Sequence, residues 1–375
     1  MKIALSGGHL TPALAFLDYL KETNSPHTCI FFGRTQAQTR TGQPSHEADE
    51  VAAREVPFIE VSAGKFTSAA PWDILIMFLK NCKAYFSALY TLSQEKPDIY
   101  LSFGSYLAVP IGFAAWTLGI PVVTHEQTRS IGFATKALSP IAQKIFLSFP
   151  ESKVLVPKRL AQVTGNLLRS SLHNQVDTAP TWYKNPANLP VVYITGGSQG
   201  SEVINTCTAL LVPKLTKDWV VIHQCGSSSK QRSYSAELAQ VRSSLPRSQQ
   251  SRYSIQEWIS AEELGWLYTT ATLVVGRSGA NTVQELATFA EPSILIPLPF
   301  SHNNEQFLNA QWLHEAGGAE VIEQKDLTPE LLLEKIQLIA SKHKAYRRRL
   351  STLELPQQAA EKVLNALEEI VANKH

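Results

Sequence analysis

Residues 273–290 read LVVGRSGANTVQELATFA. Leu273-Val274-Val275-Gly276 has the character of a short buried strand, and Arg277-Ser278-Gly279 makes a tight turn after it. Val283, Leu286, Ala287 and Ala290 then recur at i, i+3, i+4 and i+7, one face of a helix. A strand, a turn and a helix start leave free backbone N–H groups at the positive end of the helix dipole, a geometry that suits a phosphate-bearing ligand. Glu285 falls in the first turns, off the apolar stripe, where a carboxylate would accept hydrogen bonds from two ribose hydroxyls. The stretch also reads as an ordinary strand–helix turn with a solvated Glu285, so the surrounding chain has to decide.

Working outward, Val191–Thr195 is a strand followed by the turn Gly196-Gly197-Ser198-Gln199-Gly200, with Val203, Cys207, Leu210 and Leu211 marking the next helix. Val220–His223 and Ile294–Pro297 are further strands; residues 328–341 and 356–372 are helical, with Pro329 and Pro356 as starts. The first half opens in the same way. Lys2–Ser6 is a strand, Gly7-Gly8-His9 a turn, Thr11 an N-cap with Pro12 at the first helical position, and Ala13, Phe16, Leu17 and Leu20 the helical face. Strands at Cys29–Phe32, Ile99–Phe103, Pro121–Thr124, Ile145–Ser148 and Gln162–Thr164, with a helix at Gly112–Leu118 closed by Gly119, complete it. Strands alternating with helices predict an α/β fold: two Rossmann-like domains, each a parallel sheet with helices on both faces, facing a cleft. Residues 166–190 hold prolines and many polar residues and read as a hinge, giving domains at 1–165 and 191–355, with the last helix, 356–375, packing back on the first.

Composition narrows the function. A chain of 375 residues with 44% hydrophobic content has room for two ordinary cores. A net charge of +2, with no basic stripe, speaks against a nucleic-acid partner. Cys29, Cys82, Cys207 and Cys225 are scattered, as expected of small buried hydrophobes in a reducing compartment, and no metal-ligand spacing occurs. Ser6-Gly7-Gly8-His9 and Pro12 break the first apolar stretch, so no signal peptide is expected, and no run approaches the roughly 20 apolar residues of a membrane span. The expected location is cytoplasmic, free or resting on a membrane. There is no D-x-D, no G-x-S-x-G and no P-loop; neutralisation of a leaving diphosphate by helix N-termini and Arg is favoured over a metal.

The candidate residues follow from position. The glycine turn at 196–200 lacks G-x-G-x-x-G spacing but permits close approach to a diphosphate or ribose, and no acidic residue follows convincingly for an NAD ribose. His9, in the first strand–helix turn, suits general-base work on a hydroxyl, or else caps its helix. His125-Glu126-Gln127 ends a strand, and Glu126 is a second candidate base. Arg169 follows Gly165-Asn166 at the expected crossing, where it either pairs with a diphosphate or is a surface cation. Residues 71–90, PWDILIMFLKNCKAYFSALY, are a very apolar helix with Leu75, Phe78, Leu79, Cys82, Phe86 and Leu89 on one stripe, widened by Trp72, Ile76 and Met77, with Lys80 and Lys83 as its cations. It is either a core helix or one whose exposed edge touches a membrane surface.

Taken in order, Gly7-Gly8-His9 with Pro12-Ala13, Ala114-Ala115-Trp116 through Pro121, His125-Glu126-Gln127, Val163-Thr164-Gly165-Asn166 with Arg169, Gly196–Gly200, Arg277-Ser278-Gly279-Ala280 with Thr282-Val283 and Glu285, and Gln306 with Asn309-Ala310 resemble the MurG family of bacterial UDP-N-acetylglucosamine:lipid-linked muramoyl-pentapeptide N-acetylglucosaminyltransferases. The resemblance runs over nearly the whole chain. It implies a GT-B fold. The C-terminal half would bind UDP-N-acetylglucosamine, with Ser198 on the nucleotide, Ile259 by the uracil, Ala280, Asn281, Thr282, Val283, Gln284 and Glu285 along the diphosphate and ribose, and Glu305 and Gln306 on the sugar. Ser6, Gly7, Gly8, Thr128 and Arg169 would complete the donor site. Gly7, Gly8 and His9, with the Gly104-Ser105-Tyr106 turn, would meet the undecaprenyl-diphosphate-linked muramoyl-pentapeptide. No tightly bound metal or other cofactor is implied. The helix at 71–90 falls where the family meets the membrane, which implies a peripheral enzyme on the cytoplasmic face of the bacterial inner membrane.

Two departures lie on the acceptor side. The family's first turn, G-G-x-G-G-H, has Ala4 and Leu5 here in place of the first two glycines, and its H-E-Q-N ends here in Thr128, whose hydroxyl is shorter and differently placed than an Asn amide. The expected reaction is an inverting transfer to the acceptor's 4-hydroxyl with His9 as base, Glu126 second. The alternatives are a transferase of the same fold acting on another lipid- or protein-linked sugar, a UDP-N-acetylglucosamine epimerase that needs no acceptor, and an inactive UDP-binding protein.

Overall fold

The computed structural model describes residues 1–7, 9–34, 47–64, 71–172, 179–185, 188–197, 199–227 and 233–374; Gly8 and Ser198 lie outside them. The chain divides into two compact units, Met1–Ser170 with Pro356–His375, and Ser171–Leu355.

The first unit holds seven strands, β1 (Lys2–Ser6), β2 (Thr28–Gly33), β3 (Phe58–Glu60), β4 (Ile99–Ser102), β5 (Val122–Glu126), β6 (Ala142–Leu147) and β7 (Ala161–Val163), in the order β3-β2-β1-β4-β5-β6-β7. Every neighbouring pair is parallel. Alternation along β1 shows why its residues are apolar without a break. Ile3 and Leu5 face Phe16 and Leu17 of the Leu10–Glu22 helix and Val363 and Leu367 of the Ala359–Ala372 helix. Ala4 faces the other way, toward Ala84, Ala88 and Leu92 of the Pro71–Glu95 helix and Ile111 of the Ala108–Thr117 helix. A strand covered on both sides loses the polar alternation of a half-exposed one. Each large side chain so buried contributes roughly 1.5–3 kcal/mol before entropy is counted.

The second unit holds β8 (Val191–Thr195), β9 (Val220–Gln224), β10 (Tyr253–Gln256), β11 (Leu273–Gly276), β12 (Ser293–Leu295) and β13 (Ala319–Val321), all parallel, in the order β10-β9-β8-β11-β12-β13. Both sheets reverse their strand order once, between β1 and β4 and between β8 and β11. Ligands of open parallel sheets bind outside the carboxyl ends of the strands at such a point.

Several local expectations are corrected. The first helix begins at Leu10 with His9 as N-cap, so Thr11 and Pro12 lie inside its first turn. The Glu202–Leu215 helix buries Ile204, Cys207, Leu211 and Val212, whereas Val203 and Leu210 are exposed, and its N-cap is Ser201, which accepts from the Ile204 N–H. The helix read from Gly112 starts four residues earlier, at Ala108. The last helix starts at Ala359 after Gln358 in the left-handed region (φ 57°), so Pro356 does not open it. Pro356 instead packs on Gly165 (φ +91°), where a Cβ would come within 2.8 Å of the Pro356 carbonyl. The stretch read as a hinge is divided: residues 166–170 stay with the first unit, and later parts belong to the second. Its aromatic residues account for this, since Trp182 donates to Glu263 at 2.8 Å and Tyr183 packs edge-on against Trp266.

Candidate active site

At the first sheet's reversal, β1 leads into Gly7 and His9, and β4 into Gly104, Ser105 and Tyr106. Gly7 has no room for a side chain: a Cβ would lie 1.9 Å from Glu47 Oε1 and 2.8 Å from the Phe31 ring. His9 caps the helix only with its backbone; its side chain makes no cap hydrogen bond. Burial holds its imidazole below the usual histidine value of 6.5, and the negative charge of Glu126 offsets this only in part. The ring is therefore neutral at neutral pH, the form that takes up a proton. Gly104 (φ +86°) lies against it, close enough that a Cβ would meet His9 Cδ2 at 3.1 Å. Ser105 also takes a left-handed backbone (φ 71°), a strained conformation for a residue with a side chain.

Glu126 is a scaffold. Its Oε1 accepts from the Thr128 N–H (3.3 Å) and Thr128 hydroxyl (2.9 Å), and its Oε2 accepts from the Gly132 N–H and Thr135 hydroxyl, both at 2.8 Å. Three donors on separate hydrogens, with the Thr128 hydroxyl shared between this carboxylate and the Ser130 carbonyl, hold the side chain in its loop as a support. Thr128 is buried, with its hydroxyl also 2.5 Å from the Ser130 carbonyl, so its side chain is engaged in shaping this loop. Ser6 is corrected likewise. Its hydroxyl is buried against Tyr100 at 2.6 Å, and Tyr100 in turn donates to the Ala108 carbonyl. His125 donates through Nε2 to the Gly165 carbonyl at 3.1 Å, and burial lowers its pKa to about 4. Arg169 lies in the first unit with its Nε buried and without a partner among the described residues.

At the second sheet's reversal, β8 leads into the 196–200 turn and β11 into the Ala280–Thr288 helix. A Cβ on Gly200 (φ +72°) would meet the Cys225 carbonyl at 2.1 Å, so this turn and the loop after β9 touch backbone to backbone. Gly197 (φ +84°) has nothing within 4 Å on its Cβ side and faces open space. The two helix starts differ. The first is capped by Ser201, whose hydroxyl is itself held by Arg277 at 2.8 Å. The second has Gly279 as N-cap and makes no side-chain cap hydrogen bond, so the positive end of its dipole is not met by a capping side chain. Arg277 also donates to the Ile296 and Pro297 carbonyls and to Gln324, which ties the loops of β11, β12 and β13 together.

Glu285 is buried, with Oε2 accepting from the Tyr268 hydroxyl at 2.9 Å. It is thus fixed in place and is not the solvated side chain of an ordinary strand–helix turn. Val283 points wholly into the core, Gln284 and Ala280 are buried, and Asn281 and Thr282 are half-buried, so along this helix the contribution to a ligand is chiefly backbone. Ile259 is buried beside the start of the Ala261–Thr270 helix. Gln306 accepts from the Leu298 N–H at 3.0 Å, while its carbonyl takes the Ser278 hydroxyl at 2.7 Å; Glu305 opens the same helix, Glu305–Glu315.

Comparison with known proteins agrees with this geometry. The glycosyltransferase family 28 N-terminal domain matches residues 6–147 and the family 28 C-terminal domain residues 191–369. A UDP-N-acetylglucosamine–N-acetylmuramyl-(pentapeptide) pyrophosphoryl-undecaprenol N-acetylglucosamine transferase from Hydrogenovibrio crunogenus is 31% identical over 96% of this chain and 95% of its own. The chain belongs to the MurG family. The crystal structure of MurG from Acinetobacter baumannii superposes with a TM-score of 0.70 at 26% identity, covering 98% of this chain and all of that one. A Neisseria meningitidis UDP-GlcNAc 2-epimerase solved with UDP-GlcNAc shares the fold alone, at 14% identity and a TM-score of 0.65. This family member is a UDP-sugar glycosyltransferase of GT-B architecture. Tyr268, Thr135 and Glu47 are supports that reading the sequence misses. Each lies on a separate element from the residue it holds, and only a glutamate in an apolar helix (Glu285) or a glycine without space (Gly7) hints at them.

Proposed function

We propose that this chain transfers N-acetylglucosamine, with inversion, from UDP-N-acetylglucosamine to the 4-hydroxyl of undecaprenyl-diphosphate-linked N-acetylmuramoyl-pentapeptide, releasing UDP. The observation that carries this reading is the uncapped start of the Ala280–Thr288 helix at the second sheet's reversal, with Glu285 locked beside it. In this reading the diphosphate lies at the start of that helix, at the positive end of its dipole, and Glu285 accepts from the ribose. Ser198 and Ile259 flank the nucleotide, and Glu305 and Gln306 the sugar. Negative charge growing on the leaving diphosphate is met by the positive end of this helix, and no metal is assigned a role. His9 removes the proton of the acceptor hydroxyl, with Gly104, Ser105 and Tyr106 shaping the acceptor's place.

The enzyme works as a peripheral protein on the cytoplasmic face of the inner membrane. Supporting this, the Pro71–Glu95 helix exposes Trp72, Leu75, Phe78, Leu79 and Phe86, with Lys80 and Lys83 exposed among them. No described helix is long and apolar enough to cross a membrane. An apolar face edged with cations suits an anionic lipid surface.

The test is UDP release from UDP-N-acetylglucosamine with and without the muramoyl-diphospho-lipid acceptor. Release only with acceptor, matched by disaccharide formed, supports the reading. Consumption of donor without acceptor would point to an epimerase, release with a different sugar acceptor to another transferase, and binding of UDP without release to an inactive protein.

A further inference from the structure

Arg34 leaves β2 directly after Gly33, beside the first turn: the Gly7 N–H donates to the Phe32 carbonyl at 3.0 Å. Its backbone N–H donates to Glu47 Oε2 at 3.0 Å, and the other oxygen of that buried carboxyl fills the space next to Gly7. Its guanidinium lies 5.4 Å above the centre of the Tyr106 ring, and Nη1 donates to the Tyr106 hydroxyl at 3.1 Å. Nε is buried and has no partner among the described residues. A buried donor left unfilled is costly, so the position favours an acceptor. Besides its pull on the Glu47 carboxyl, which lowers that acid against the larger effect of burial, the guanidinium meets a neutral phenol, which orients the cation while its Nε stays unfilled. A planar fork of donors, held beside a glycine turn and a helix start, is the chemistry that recognises phosphate.

We propose that Arg34 is an anion-binding residue of the acceptor site, taking a phosphate of the acceptor's diphosphate while Tyr106 and Glu47 hold it in position. This rests on the transferase reading above and adds to it a residue that sets acceptor affinity. Arg34 stands one strand away from the β1–β4 reversal, on the edge where Gly7 and His9 emerge, so the phosphate and the hydroxyl to be activated would share one unit.

The test uses the full chain and a water-soluble, short-prenyl-diphosphate muramoyl acceptor in the absence of vesicles. Arg34→Ala should raise KM for this acceptor about tenfold or more, Arg34→Lys less, with kcat and KM for UDP-N-acetylglucosamine close to wild type. A short-chain prenyl diphosphate, titrated with UDP saturating the donor side, should bind Arg34→Ala weaker by a similar factor. Should Arg34→Ala fail to fold, Arg34→Gln carries the same expectation. Unchanged acceptor KM and prenyl-diphosphate affinity would overturn the proposal. So would an effect confined to phosphatidylglycerol vesicles, which would mean that the cation reads lipid headgroups. Wild type turning over no muramoyl acceptor would instead overturn the transferase reading.

Discussion

His9 and Glu126 separate a reacting group from its support. His9→Ala should lower kcat by roughly 10²–10⁴, the usual worth of a general base, while UDP affinity and melting temperature stay near wild type. Burial depresses the imidazole below 6.5, so the neutral form persists above that value and is lost only as pH falls through the lower one. The acid limb of kcat/KM should therefore lie below pH 6.5, and a limb at or above it would remove His9 from the role. Glu126→Gln should instead cost stability, since an amide nitrogen cannot accept from Gly132 and Thr135. Melting of this variant should shift along with its activity, and a variant that melts like wild type would contradict the scaffold role. His9 is legible in the sequence because it stands in a strand–turn–helix; the donors around Glu126 are not, because they are set by how the loop at 128–135 folds over it.

Among the elements, the Pro71–Glu95 helix shows where sequence pattern and packing part. Its most apolar stripe is the exposed one, and the residues it buries are the small Ala84 and Ala88 with Leu92. Periodicity reports that a helix has an apolar face but not what covers it. Replacing Trp72, Phe78 and Leu79 by Ser should reduce sedimentation with anionic vesicles by about tenfold or more, at roughly 1.5–3 kcal/mol of burial per large side chain, with turnover of a soluble acceptor kept. Retained vesicle binding would sink the membrane role. The helix that opens the donor site ends less favourably than it begins. Ala290 follows its C-cap in the left-handed region (φ 51°), a place glycine fills without strain. Ala290→Gly should raise the melting temperature by about 2–4 °C, as expected for a gain near 1 kcal/mol. The strand–turn–helix units themselves are readable because each carries its own period; proline marks the helix start correctly at Pro329, whereas at Pro12 and Pro356 the start lies a few residues away.

Over the whole molecule, stability should peak near pH 6.5. Glu291 is fully buried, and burial outweighs Arg347 at 3.3 Å, so its carboxyl is pushed up to about 9 from 4.5. An acid whose value is raised by folding holds its proton more tightly when folded, so stability is lost as pH rises from 4.5 toward 9, at up to about 1.4 kcal/mol per pH unit. His125 and His223, lowered to about 4 and about 3 by burial, act from the other side. Below 6.5 the unfolded chain takes up their protons first, and two such groups outweigh the opposing trend of Glu291. Urea unfolding across pH 5–9 should trace this maximum, and Glu291→Gln should flatten its alkaline side; an unaltered alkaline slope would show that Glu291 is ionised in the folded state. The central claim, that the second unit holds the nucleotide sugar where its sheet reverses, is tested most directly by a crystal structure with UDP-N-acetylglucosamine bound. Density for the diphosphate at the start of the Ala280–Thr288 helix, with the ribose on Glu285, is the result predicted. Density on the first unit beside Gly7 and His9, with that helix start empty, would contradict it.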